Sequence, residues 1–317
     1  MRMQRRHWLK GAAGWTLWPL TATVATSATV AASEAARAAP AANAADRLNS
    51  APAVGADPAT DRRRLRFTLT LRNPSAEPVT DQTIWVYMPL RETALQRLES
   101  LQVSMPHALS HDALGHSLLR LSLPRVGPLG AKVVTVQAEV SLRPEPVAQP
   151  LADPAAWLQA ERFIESTDPA VRELAAALRR ETPAQTLDAI YDWVRTNLQY
   201  AGYLADPLGA REALARRSGD CTEYAFLCTA LARACGIAAR PVGGYVVGAS
   251  AAPRADEYHD WAEVHLGGAW RVMDAQKGCW ERPAADYVGF RLYRETPSNA
   301  LGTAPRFKVD GSLELRM

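Results

Sequence analysis

The sequence predicts an α+β chain, with a small all-β sandwich first and a mixed domain of helices and strands after it. Three observations predict this. Short alternating apolar runs fill 64–142, helical apolar spacing dominates 155–236, and alternation returns at 240–274 around a Gly-Gly turn. With 317 residues and 48% hydrophobic content, the chain has room for one or two domains with real cores.

The alternating runs are Leu65, Phe67, Leu69 and Leu71, then Ile84, Val86 and Met88, then Leu119, Leu121 and Leu123, then Val134, Val136, Ala138 and Val140. Asn73-Pro74, Pro106 and Gly127-Pro128 punctuate them, so a β-sandwich is expected over 62–143. His107, His111 and His116 fall in its middle loop. No carboxylate or cysteine pattern accompanies them, so they read as solvated loop histidines rather than metal ligands. A proline-spaced linker follows over 144–154, and a second domain is expected over 155–317.

Helices are expected over 155–166, 169–180 and 184–198, with Asp168 and Thr182 as start residues for the last two. Leu187, Ile190, Tyr191, Val194 and Leu198 give the third helix one apolar face. A short basic helix over 210–217 has Arg211, Arg216 and Arg217 on what reads as a solvated face.

That helix leads into the stretch 216–236. Ser218-Gly219-Asp220 is a helix start, Gly236 a helix stop, and Tyr224, Leu227, Cys228, Leu231 and Cys235 lie between at helical spacing. Cys221 therefore sits on the first turn of a buried helix, where unpaired N–H groups and the helix dipole favour a negative charge. Such a position can lower a thiol pKa from about 8.5 into the range of about 3.5–7.5. A lone cysteine there is otherwise a small core residue.

The segment 258–274 decides between these readings. It alternates around Gly267-Gly268 and reads as a β-hairpin. With a two-residue turn, Leu266 pairs with Ala269 and Trp261 with Asp274. His259, Trp261, Glu263, His265, Trp270, Val272 and Asp274 then share one face, and Ala262, Val264, Leu266 and Met273 share the other. His259 and Asp274 become diagonal neighbours, with backbones about 7–8 Å apart. A nucleophile, a base and a carboxylate that orients the base are what thiol acyl-transfer chemistry requires.

The blocks G-D-C-T-E-Y-A, G-I-A-A-R-P-V-G-G-Y, H-D-W-A-E-V and W-R-V-M-D resemble the transglutaminase-like core, a branch of the papain-like fold. The resemblance runs from about Gln185 to Gly278, in the expected order and spacing, and departs from the pattern at Ala238, where a proline is common. It implies that Cys221 is the nucleophile, His259 the general base and Asp274 the residue that orients it, with no cofactor or metal. Tyr200 matches an aromatic the family often has, and stands as a cleft or oxyanion candidate beside the plainer reading of a core tyrosine. Trp261 stands as a candidate cleft wall, with support of the hairpin face as the plainer reading.

The implied substrate is a protein, a peptide or a small amide. Hydrolysis is preferred over transamidation, since neither the loop 248–257 nor the aromatic tail of Trp280, Tyr287, Phe290 and Tyr293 forms a recognisable amine site. A non-catalytic binding module on the same fold is the other alternative. A terminal hairpin is expected around Asp310-Gly311, within 306–315.

Cys221, Cys228 and Cys235 stack seven residues apart, about 10.5 Å along a helix, so none bridges another within it. The absence of C-x-x-C argues against a zinc site. Arg2, Arg5, Arg6 and Lys10 are the charges of the first 32 residues, and removing those four takes the net charge from +3 to −1. A near-neutral remainder offers no electrostatic basis for binding nucleic acid or an anionic membrane.

Gln4-Arg5-Arg6-His7-Trp8-Leu9-Lys10 resembles the twin-arginine export motif, with Trp8 where phenylalanine is usual. A mild apolar stretch over 11–30 follows, so 1–38 reads as a signal peptide; an ordinary secretory signal or a retained anchor are the rivals. The Ala- and Pro-rich stretch 39–61 reads as a disordered linker. Periplasmic or secreted location follows as an expectation. Replacing Arg5 and Arg6 by lysine is expected to leave unprocessed precursor in the cytoplasm, as fractionation and blotting would show. Normal periplasmic processing of that double variant would contradict the assignment.

Overall fold

The computed structural model describes residues 60–295 and 298–317. The expected signal peptide and all of the expected linker before residue 60 lie outside the described residues.

Six strands come first: β1 (Asp61–Arg72), β2 (Val79–Met88), β3 (Gln96–Val103), β4 (His107–His111), β5 (Ser117–Val126) and β6 (Ala131–Leu142). The second half contributes α1 (Pro169–Leu178), α2 (Pro183–Asn197), β7 (Gln199–Tyr200), α3 (Ala210–Arg216), β8 (Ser218–Gly219) and α4 (Cys221–Ala234). It continues through β9 (Ala239–Val246), β10 (His259–Leu266), β11 (Ala269–Met273), β12 (Tyr287–Leu292), β13 (Phe307–Asp310) and β14 (Glu314–Arg316). The expected helix over 155–166 is absent; only Ala155–Trp157 forms a single 3₁₀ turn. Arg162 and Glu161 there are held by loop contacts with Glu295 and Arg233 instead.

The sandwich pairs two four-stranded sheets, in the orders β14-β1-β6-β3 and β13-β2-β5-β4. The alternating apolar residues of β1, β2, β5 and β6 are buried between them. The terminal hairpin does not form. β13 pairs with β2 and β14 with β1, so the tail crosses from one sheet to the other. Leu313, between the two strands, is buried in the sandwich core, which rewards this crossing over a local turn.

The histidine expectation also needs correction. His107 and His111 lie on an exposed strand, but His116 is 1% exposed. Its Nδ1 is 2.6 Å from Asp112 Oδ2, and its Nε2 accepts from the Leu292 N–H. No cluster suited to a metal ion occurs among the described residues.

The third sheet, in the order β11-β10-β9-β12, positions the candidate site. One face takes α4 and its neighbours through Ala262, Val264 and Met273. One end of it is buried in the sandwich core, where Tyr245 and Phe290 pack on Phe67 with ring centres 5.9 and 5.7 Å away. Gly244 has no alternative here, because a Cβ would fall 2.0 Å from the Val288 carbonyl oxygen. Gln96 of β3 ties β12 down: its amide donates to the Leu90 and Gly289 carbonyls, and its oxygen accepts from the Gly289 N–H.

Replacing Gln96 by leucine strands buried backbone groups at Leu90 and Gly289. Each unmet buried partner costs about 1–3 kcal/mol, so a loss of at least about 2 kcal/mol is expected. Urea unfolding of the two proteins measures it; unchanged stability would show that these bonds do not hold β12 to the sandwich.

Candidate active site

Asp220 caps α4, accepting from the Thr222 N–H at 2.8 Å, while its own N–H donates to Glu223 at 3.1 Å. This reciprocal capping box satisfies donors that the first helical turn leaves open. The same two carboxylates also accept from the Leu204 and Leu208 N–H groups, pinning the 204–208 loop against the start of the helix. Gly219 fits because a Cβ there would lie 2.3 Å from the Glu223 Cβ. Cys221 is thereby fixed as the first residue of α4, with an N–H that has no acceptor inside the helix.

The hairpin forms in the expected register. Leu266 pairs with Ala269 and Ala262 with Met273, around Gly267 and Gly268 at φ 63° and 81°. One step further along this register lies Asp274, and His259 Nε2 is 2.6 Å from its Oδ2. Both residues are buried. Asp274 also accepts from the Tyr287 hydroxyl at 2.9 Å and the Lys277 N–H at 2.9 Å. Burial works to raise its pKa, yet the His259 bond, the Lys277 N–H and the Tyr287 hydroxyl together hold it below the usual carboxylate value. An ionised carboxylate only accepts, so Nε2 is the donor of this bond, and in the neutral imidazole Nδ1 is then the acceptor.

Cys221 and His259 line one cavity of about 520 Å³, together with Tyr200, Lys277 and the strand end at Tyr245. No hydrogen bond joins the thiol to the imidazole among the described residues, as is common for such pairs without substrate. Tyr200 is 57% exposed at this cavity's edge, so it is not a core residue. Trp261 is 1% exposed and lines neither cavity at Cys221; it packs near His259 with ring centres 6.3 Å apart. Its place is under the imidazole, as a support. Glu263, on the same face, pairs with buried Arg240 at 2.7 Å.

The thiol differs from expectation. Burial, then the charge of Asp260, then that of Asp220, push Cys221 up to about 12, against the lowering effect of the Asp260 N–H and the Thr222 hydroxyl. Asp260 was not singled out in the sequence, although it adjoins His259. It accepts from the Thr222 hydroxyl at 2.8 Å and the Tyr293 hydroxyl at 2.9 Å, and burial raises its own pKa. Asp220 and Glu223 were legible, since D-C-T-E is a capping-box pattern; Tyr287 and Tyr293 carried no signal beyond being aromatic.

Residues 172–275, about a third of the chain, match the model of the transglutaminase-like superfamily, so this stretch is a transglutaminase-like core preceded by a strand-rich region. Among solved structures, the chain is similar to a candidate cysteine protease from Cytophaga hutchinsonii, at 19% identity and a TM-score of 0.55, over 81% of this chain and 90% of that one. That likeness speaks for the fold. It is also similar to the periplasmic domain of TgpA from Pseudomonas aeruginosa, at 20% identity over 66% of this chain and 69% of that one, with a TM-score of 0.39 too low to carry an argument. None of the curated proteins compared with it matches.

Since the thiol is protonated at rest, alkylation of Cys221 by iodoacetamide is expected to rise about tenfold per pH unit from pH 7 to 9, without a plateau. Cys228, Cys235 and Cys279 are buried and should react more slowly throughout. Peptide mapping over that range checks this, and a plateau with a midpoint below pH 8 would mean a preformed thiolate.

Proposed function

We propose that the chain is an exported cysteine-dependent acyl-transfer enzyme that hydrolyses an amide or peptide-type bond. The observation that carries this reading is the buried 2.6 Å bond between His259 and Asp274, on an imidazole lining the same cavity as Cys221. Asp274 fixes the tautomer, so Nδ1 can take a proton.

With the thiol protonated at rest, the base acts during attack. As Cys221 Sγ bonds to the acyl carbon, the thiol proton passes to Nδ1. The C–N bond then breaks, that proton goes to the leaving amine, and a thioester remains. Water adds to the thioester carbon, giving its proton to Nδ1. The C–S bond breaks, the proton returns to sulfur, and the acid leaves. The Cys221 N–H, free of any helical acceptor, is placed to donate to the oxyanion.

Hydrolysis is preferred over transfer to an amine because exposed Tyr200 and Lys277 edge the smaller cavity, which leaves it accessible to water. Export rests on the paired arginines Arg5 and Arg6 and the apolar stretch behind them. Among the described residues, no helix is long and apolar enough to cross a membrane.

Asp274→Asn is expected to lower kcat by about 10² or more while KM moves little, because the change disturbs the base and leaves the cavities in place. Steady-state kinetics on an amide substrate found by profiling checks this. An Asp274→Asn enzyme with wild-type kcat would remove the carboxylate from the mechanism.

A further inference from the structure

Cys221 lines a second, larger cavity of about 990 Å³, which His259 does not touch. This asymmetry assigns the two arms, given the acyl-transfer reading above. The base must deliver its proton to the leaving amine, so the leaving group occupies the arm lined by His259. The acyl group then lies in the larger arm, lined by Thr222, Asp260, Arg291 and Arg306.

The charges of the larger arm are unevenly used. Glu161 is engaged by Arg233 at 2.8 Å and Arg294 at 3.8 Å. Asp220 accepts from backbone N–H groups, and Asp260 from two hydroxyls. Arg291 is 6% exposed and makes no contact ion pair among the described residues, although its charge acts on Asp260 in the same arm. It lies 4.3 Å over the Tyr293 ring, and its polar neighbour Tyr87 is neutral. Arg306 likewise makes no ion pair. It donates to the Ala255 carbonyl at 2.6 Å and lies 5.3 Å over the Tyr258 ring. The charges of both guanidiniums act on Tyr258, whose buried hydroxyl has no partner among the described residues. A guanidinium withdrawn from water without a carboxylate in direct contact is costly, and a ligand carboxylate would offset that cost. Arginine is also suited to hold a carboxylate through two parallel bonds.

We propose that the larger arm is the acyl-donor subsite and that it selects an acyl group bearing a carboxylate, with Arg291 as the anchoring residue and Arg306 as the second contact. Both an acidic side chain and a free chain-terminal carboxylate offer this chemistry.

The test is a binding measurement on Cys221→Ser protein, so that its outcome does not depend on turnover. Three matched probes are titrated by calorimetry: N-acetyl-glutamate methylamide, with a side-chain carboxylate; N-acetyl-glutamine, with a terminal one; and N-acetyl-glutamine methylamide, which is neutral. One acid is expected to bind at least tenfold more tightly than the neutral probe, and which acid does so names the source. Arg291→Gln should erase that preference, Arg291→Lys should keep part of it, and Arg306→Gln should reduce it. Unchanged near-ultraviolet dichroism would show that Arg291→Gln is folded; if it is not, the Arg306→Gln result decides. Equal binding of all three probes, including no binding, overturns the proposal, as does a preference that survives both arginine-to-glutamine changes. Failure of the acyl-transfer reading would appear separately, as an absence of Cys221 chemistry in wild-type protein.

Discussion

The two-residue turn at Gly267 and Gly268 fixes the pairing of β10 with β11, and with it the face on which every side chain of that hairpin lies. Both glycines take positive φ, which residues with a Cβ adopt only at a cost, so the turn and its register are tightly linked. A slip of one residue would move His259 and Asp274 to opposite faces and turn Ala262 and Val264 out of the helix-facing core. The core therefore enforces the geometry that the proposed chemistry needs. Trp261 beneath the imidazole and Tyr287 on Asp274 Oδ2 then remove the remaining freedom of the two side chains.

The thiol is held by a different kind of constraint. A helix terminus stabilises a nearby negative charge by a modest amount, and Asp220 and Glu223 already use its open N–H groups. Partial burial of the sulfur and two buried carboxylates oppose ionisation and push the thiol up, against the Asp260 N–H and the Thr222 hydroxyl. In the proposed mechanism a neutral thiol therefore stands beside an imidazole of fixed tautomer, and proton transfer accompanies attack. Asp260 stands where these effects meet, bonded to Thr222 of α4 and to Tyr293 beyond β12.

Local patterns were legible in the sequence because short-range physics writes them. The Ser218-Gly219-Asp220 start, the Gly-Gly turn and period-two alternation are set by neighbours in the chain, and with the family-like blocks they put Cys221 on a helix start and His259 and Asp274 on one hairpin face. Contacts between distant segments left no such trace. Leu313 chooses the sandwich core over a local hairpin, and His116 accepts from a backbone N–H 176 residues away. Arg291, within the aromatic tail, carried no signal of its own, and the fold buries it beside the larger cavity. The expected helix over 155–166 failed for a related reason. Arg233 reaches from α4 to the Gln159 carbonyl and the Glu161 carboxylate, giving that segment tertiary partners in place of helical ones.

The central claim is that an acyl group passes through sulfur on Cys221. Rapid acid quenching of enzyme with an activated acyl ester, followed by intact-mass and peptide mapping, tests it most directly. The account predicts a mass increase equal to the acyl group, located on the peptide containing Cys221 and released by hydroxylamine at neutral pH. It should accumulate further in His259→Ala protein, because loss of the base slows attack by water more than it slows acylation by an activated ester, whose good leaving group needs less help. An acyl adduct on another residue, or product formation at the wild-type rate by Cys221→Ala protein, would contradict it.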